Sequence, residues 1–234
     1  MNNNQIIRSM RYIDGDPEIL PYSRTTRTEK NPGIAMGQIK INTPFGIELN
    51  KLAKNTNYNT YLDIGSWCGL GTTKCFLDGI ILRDDASVLY SLESNHGFYN
   101  ITNNYWSKYF EIYKINTDKF ILKYGSIVSF EQLDSNYITD SGHTKYTYDY
   151  NLDIKSAPMI KIDTPIDVLC LDGGHFSTIQ EWNMYKNSIK VIILDDTKTS
   201  KTIKILDEIK YSNKWNIVYE SDNRNGELIA TKIN

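Results

Sequence analysis

From Thr60 onward, short apolar runs alternate with longer windows of helical period. The runs are Thr60 to Ile64, Val88 to Leu92, Phe120 to Tyr124, Val168 to Leu171 and Val191 to Leu194. The later runs are almost continuously apolar, as expected of strands covered on both faces, so the alternation predicts a parallel sheet with helices on either side. The end of the chain differs. Trp215 to Glu220 and Glu227 to Ile233 are strand-like and separated by Asn223, Arg224, Asn225 and Gly226, which predicts a hairpin. The expected fold class is therefore α/β: a mostly parallel seven-stranded sheet with an antiparallel last strand and helices on both faces.

Ahead of the first strand, Phe45, Ile47, Leu49, Leu52 and Ala53 suit a helix over 44–55, with Thr43 as its N-cap and Pro44 at its first position. A further helix is expected over 199–209. Residues 1–43 carry Pro17, Pro21 and Pro32 without a sustained period and read as an N-terminal arm. The arm leads into a single domain over 44–234. Residues 134–165, with Tyr137, Gly142, His143, Tyr146, Tyr148 and Tyr150, interrupt the rhythm as an insertion, either a lid over a substrate or a tolerated surface excursion.

Composition narrows the function classes. At 234 residues the chain holds one substantial core, and a net charge of -2 makes nucleic acid an unlikely partner. Cys68, Cys75 and Cys170 form no C-x-x-C pair, and two of them fall in apolar segments, which fits a reducing, cytoplasmic setting. Met1 to Arg11 lack the apolar stretch of a secretory signal, and no segment has the length of a membrane span.

The candidate chemistry sits where the predicted strands end. Asp63-Ile64-Gly65-Ser66-Trp67-Cys68-Gly69-Leu70-Gly71-Thr72-Thr73 runs from a strand through a glycine-bearing turn into a helix. That geometry lets backbone N–H groups approach an anionic group of a nucleotide-like ligand, although a glycine turn also serves simply to reverse the chain. Asp63, Gly65, Ser66, Trp67, Gly69, Thr72 and Thr73 are the candidate cofactor contacts there. Glu93 ends the second strand, where nucleotide-binding folds place an acid for ribose hydroxyls; the alternative is a solvated carboxylate. Gly125, Ser126 and Ile127 end the third strand and are positioned for an adenine ring.

Asp172 ends the fourth strand and Asp195 and Asp196 the fifth. Neighbouring parallel strands lie about 4.8 Å apart, so these carboxylates can converge on one ion. Without a cation they would repel one another, and an all-oxygen set suits Mg²⁺ ahead of Mn²⁺ or Ca²⁺. The alternative is that Asp195 and Asp196 cap the following helix. His175, three residues past Asp172, is the candidate general base, its ordinary pKa of about 6.5 suiting the task; otherwise it is a surface or capping histidine.

Taken in order, these segments resemble the cation-dependent O-methyltransferases. The likeness is to the catechol-type enzymes and, more closely at Asp172-Gly173-Gly174-His175 and Asp195-Asp196-Thr197, to the macrolide-sugar type. The resemblance implies a Rossmann-like class I methyltransferase fold and S-adenosylmethionine as cofactor. It places the methionine part of the cofactor at the turn from Gly65 to Thr73, its ribose at Glu93 and its adenine at Gly125 to Ile127. It also implies Asp172, Asp195 and Asp196 as metal ligands and a small-molecule hydroxyl acceptor, a sugar or a phenol. His175 and the paired acids favour the sugar-type relatives. Gly71 stands where many relatives carry Ser, so a hydroxyl contact to the cofactor carboxylate falls to Thr72. A nicotinamide oxidoreductase would share the glycine turn and Glu93 but leaves the acidic pair and the hairpin unexplained. A silent cofactor-binding scaffold would have no use for the carboxylate cluster. A homo-oligomer is compatible with the sequence, which does not specify one.

Overall fold

The computed structural model describes residues 39–133 and 153–233. Residues 1–38 of the arm and the Tyr-rich part of the insertion, 134–152, lie outside the described residues, so the expectations placed on them stay with the sequence. The first helix, α1 (Pro44–Lys54), begins as the sequence predicts: Thr43 Oγ1 accepts a hydrogen bond from Gly46 N at 3.1 Å and Pro44 opens the first turn.

Seven strands follow: β1 (Thr60–Ile64), β2 (Val88–Glu93), β3 (Phe120–Tyr124), β4 (Val168–Leu171), β5 (Val191–Asp195), β6 (Trp215–Ser221) and β7 (Glu227–Lys232). They form one sheet in the order β3-β2-β1-β4-β5-β7-β6. β1 to β5 pair in parallel, while β7 inserts between β5 and β6 and runs antiparallel to both. The helices between the strands are α2 (Thr72–Ile80), α3 (His96–Tyr113), α4 (Thr178–Tyr185) and α5 (Ile203–Lys210).

The near-continuous apolar runs have a direct structural cause. Alternate residues of one strand enter two different cores: Val168 and Cys170 join the layer that contains α1, α2 and α3, while Leu169 and Leu171 join the layer that contains α4 and α5. Val191 and Ile193 divide from Ile192 and Leu194 in the same way. Both faces of the sheet are covered, which leaves no polar side of these strands to read.

One expected element is shorter than the sequence suggested. The helix placed over 199–209 begins only at Ile203. Residues 199–202 instead form a turn, in which Thr199 N donates to Asp196 O at 3.0 Å and Thr202 Oγ1 to Asp195 O at 3.0 Å. This turn folds Lys201 back into the protein, where it is 5% exposed.

Candidate active site

The site forms where β1 has β2 on one side and β4 on the other, so that the chain leaves the sheet in opposite directions. Such a switch point opens a crevice beyond the carboxyl ends of the strands. Gly65 lets the crevice form: its φ is +95°, and a Cβ there would stand 2.5 Å from the carbonyl oxygen of Asp172. Gly65 N and Ser66 N both donate to Leu92 O, which holds the turn against the end of β2.

A cavity of about 270 Å³ occupies the crevice. Its cofactor-like end is lined by Gly65, Ser66, Trp67, Gly71, Thr72, Glu93, Gly125, Ser126 and Ile127. Glu93 is held in place by backbone donors, Trp67 N at 2.6 Å and Asn95 N at 2.8 Å. Burial outweighs these donors and pushes its pKa up to about 7. Ser66 Oγ and Trp67 Nε1 belong to cavity-lining residues and are buried without a hydrogen-bond partner, so the wall presents polar atoms that a ligand can satisfy.

Other candidate contacts lie elsewhere. Asp63 is completely buried, accepts hydrogen bonds from Thr72 Oγ1 at 3.1 Å and Thr73 Oγ1 at 2.6 Å, and is not among the cavity-lining residues. The two threonine hydroxyls therefore give their protons to Asp63, and of the pair only Thr72 lines the cavity. Gly69 lies behind the turn, where a Cβ would meet Thr102 Cγ2 at 2.6 Å and where its carbonyl accepts from Trp106 Nε1. Ser126 lines the cavity but turns its hydroxyl to Val128 O at 2.7 Å.

On the β4–β5 side of the crevice the strand register sets Leu171 against Leu194, which brings Asp172 beside Asp195. Asp172, Asp195 and Asp196 each offer a carboxylate oxygen within 4.8 Å of the others. The N-cap of α5 is Thr202, not an aspartate, and the three carboxylates are engaged by cations and an amide. Lys201 Nζ bridges Asp172 Oδ1 at 2.9 Å and Asp196 Oδ2 at 3.1 Å, Arg224 Nη2 meets Asp195 Oδ2 at 3.1 Å, and Asn225 Nδ2 donates to Asp196 Oδ1 at 2.9 Å. Against the cost of burial, the Lys201 charge and the Asn225 amide hold Asp196 below the ordinary carboxylate range. His175 also lines the cavity, its Nδ1 3.5 Å from Ser200 Oγ.

Four participants escaped the sequence reading. Lys201 and Arg224 look like solvated charges in a loop and a hairpin, and their pairing across 29 positions has no local signal. Glu181, on the first turn of α4, is buried and lines the cavity, and burial pushes its pKa up to about 7. Asp153, just past the undescribed part of the insertion, lines the cofactor-like end and accepts from Asn95 Nδ2 at 3.0 Å.

Sheet and crevice together define the fold as Rossmann-like, of the class I methyltransferase kind. Doubly wound dinucleotide-binding sheets run 3-2-1-4-5-6, without a reversed strand between the last two. Among solved structures the chain is similar to the O-methyltransferase from Bacillus cereus in complex with SAH, at 11% identity over 98% of this chain and 91% of that one, with a TM-score of 0.55. It is likewise similar to a methyltransferase from Geobacter sulfurreducens, at 11% identity over 83% and 82% of the two chains with a TM-score of 0.55. A third is the O-methyltransferase TomG from Streptomyces achromogenes in complex with SAM, at 9% identity over 82% and 80% with a TM-score of 0.53. No protein-family model matches the sequence, and no curated protein matches it.

Proposed function

We propose that the protein is an S-adenosylmethionine-dependent O-methyltransferase acting on a small-molecule hydroxyl, a sugar or a phenol, held by a divalent cation. One observation carries the reading: a single cavity is lined both by the glycine turn and Glu93 and by Asp172, Asp195, Asp196 and His175. A nucleotide-like donor and a polar acceptor would meet inside it. The likeness to the Bacillus cereus and Streptomyces achromogenes enzymes supports the choice of cofactor. The chemistry of the donor set fits a hard cation, because three carboxylates supply oxygen ligands and further positions remain for water or an acceptor. Mg²⁺ suits it best.

In this reading S-adenosylmethionine supplies an electrophilic methyl group, and the cation lowers the pKa of the acceptor hydroxyl. Glu93 accepts the two ribose hydroxyls while its backbone donors fix its orientation. Ser66 and Trp67 satisfy the methionine end with their partnerless polar atoms, and Gly125, Ser126 and Ile127 flank the adenine. His175 would take the proton from the acceptor oxygen, Asp172, Asp195 and Asp196 would hold the cation that binds that oxygen, and the O–CH₃ bond would form as the S–CH₃ bond breaks, leaving S-adenosylhomocysteine. Ile39 and Phe98 add apolar surface to the wall of the cavity. The three cysteines are buried thiols outside any disulfide among the described residues, in keeping with a cytoplasmic protein. No helix among the described residues is long and apolar enough to cross a membrane.

Calorimetric titration with S-adenosylmethionine and NAD⁺, each in Mg²⁺ and in chelator, tests the cofactor. Single-turnover assays with sugar and phenolic acceptors then test transfer. Binding of the methyl donor alone, with transfer abolished by chelator and by Asp172→Ala, is the expected result. NAD⁺ binding, or full transfer in chelator, would overturn it.

A further inference from the structure

The acidic cluster already contains a cation of its own. Lys201 Nζ lies within 3.1 Å of carboxylate oxygens of two residues, Asp172 and Asp196, and these belong to the three that offer converging ligand atoms. The side chain is almost completely buried, and its approach is built into the backbone, since the turn over 199–202 delays α5 and directs Lys201 inward. A hard divalent ion binds such oxygens at about 2.0–2.6 Å. An ammonium bridging two of the same carboxylates occupies or adjoins that space, and two cations that close repel each other strongly at low dielectric.

We propose that Lys201 is an intramolecular competitor of the divalent cation: it neutralises Asp172 and Asp196 in the metal-free protein and cedes them when the ion binds. This rests on the reading of the cluster as a cation site. The alternative berth for the ammonium is Glu181. Its carboxylate is 2% exposed, lines the same cavity, and leaves Oε2 without a hydrogen-bond partner. The positive charge of Lys201 already opposes the effect of burial on Glu181, so the two groups sense each other before any exchange. A buried carboxylate oxygen without a partner is costly, and accepting the displaced ammonium at Oε2 would relieve it while sparing Lys201 an unpaired burial. Arg224 need not move, because each oxygen of Asp195 keeps a further lone pair beyond the one it offers the guanidinium.

The test is Mg²⁺ and Mn²⁺ titration of the full-length protein and of Lys201→Met, followed by calorimetry, with thermal melting of both in chelator and in Mg²⁺. Lys201→Gln serves as a second neutral variant, and S-adenosylmethionine affinity is measured on each protein. Competition predicts that both variants bind the ion about tenfold more tightly or better. They should also melt below the parent in chelator and recover more than the parent does in Mg²⁺. A variant that folds only with the metal present supports the same conclusion. Equal metal affinities with cofactor binding intact would overturn the competition and leave the cation site standing. Absence of metal binding in parent and variants alike would overturn the cation site too. Variants unfolded in both media would show Lys201 to be a structural ion-pair partner and overturn the proposal.

Discussion

At the residue scale, Glu93 concentrates the chemistry of the donor end. Burial raises its pKa from 4.5 to about 7, against the backbone N–H groups of Asn95, Trp67 and Ser94 that favour the carboxylate. A raised carboxyl pKa means that the folded protein holds the proton more tightly than the unfolded chain, so ionisation of Glu93 costs the unliganded protein stability as pH rises from about 4.5 to about 7. In the proposed contact the ribose hydroxyls donate to the ionised form. Cofactor affinity should therefore be flat above pH 7 and fall by up to about tenfold per pH unit below it, measured by calorimetry in buffers of differing ionisation heat. Glu93→Gln places an amide NH₂ against Trp67 N or Asn95 N, both donors. It should weaken cofactor binding about 10–100-fold at pH 8 and flatten the pH profile. An unchanged affinity in this variant would remove Glu93 from the ribose contact.

At the scale of elements, the question is what keeps the strand ends in register so that the crevice stays open. Arg83, in the connection between α2 and β2, binds the carbonyls of Ala53 and Asn55 at the end of α1 with Nη1, at 3.0 and 3.1 Å, and Asn59 Oδ1 with Nη2 at 2.9 Å. It also meets Tyr61 Oη and Asp85, so one guanidinium joins α1, the start of β1 and the approach to β2. Lysine offers a point charge in place of this fork, and Arg83→Lys should cost about 2 kcal/mol in urea unfolding while leaving cofactor contacts in place. Asp85 adds a pH signature. Its hydrogen bonds to Arg83 lower its pKa from 3.8 to about 2, so the stability it contributes is present above pH 3.8 and lost as pH falls through about 2. With its side chain 34% exposed, solvent screens the pair and the acid limb will be shallow. Arg83→Lys should flatten it further. None of this network was legible in the sequence, where Arg83-Asp84-Asp85 reads as a polar turn. The elements it joins were legible, because Thr43-Pro44 and the apolar runs carry local signals of helix start and buried strand.

At the scale of the whole molecule, the sheet order and the site follow from different kinds of information. A mostly parallel sheet covered on both sides and closed by a reversed last strand could be anticipated, because runs buried on both faces demand helices on both sides and a terminal hairpin demands a reversal; the order β3-β2-β1-β4-β5-β7-β6, with β7 between β5 and β6, could not. The sequence also placed Gly65, Glu93, Asp172 and Asp195 at strand ends, because strand ends are visible as changes of pattern. It could not show that Lys201, Glu181, Asp153 and Arg224 share their cavity, since those encounters arise from tertiary folding alone. Nor could it show that the hydroxyls of Thr72 and Thr73, offered as candidate cofactor contacts, donate to Asp63, whose complete burial requires donors. The wall of the cavity is thus drawn from the ends of β1, β2, β3, β4 and β5, from α4, and from residues beside β7. A ligand that fills it ties these parts together and binds the folded state alone. At about 100 times its dissociation constant such a ligand adds about 2.7 kcal/mol to unfolding. For a chain of this size that corresponds to a rise in melting temperature of about 5–10 °C. S-adenosylmethionine should produce this shift in chelator as well as in Mg²⁺, because Lys201 and Arg224 already balance the carboxylates without an ion, while NAD⁺ should produce none. A shift that required Mg²⁺ would mean that the acidic cluster must be neutralised before the donor end can form, and would couple the two ends of the cavity through the strands they share.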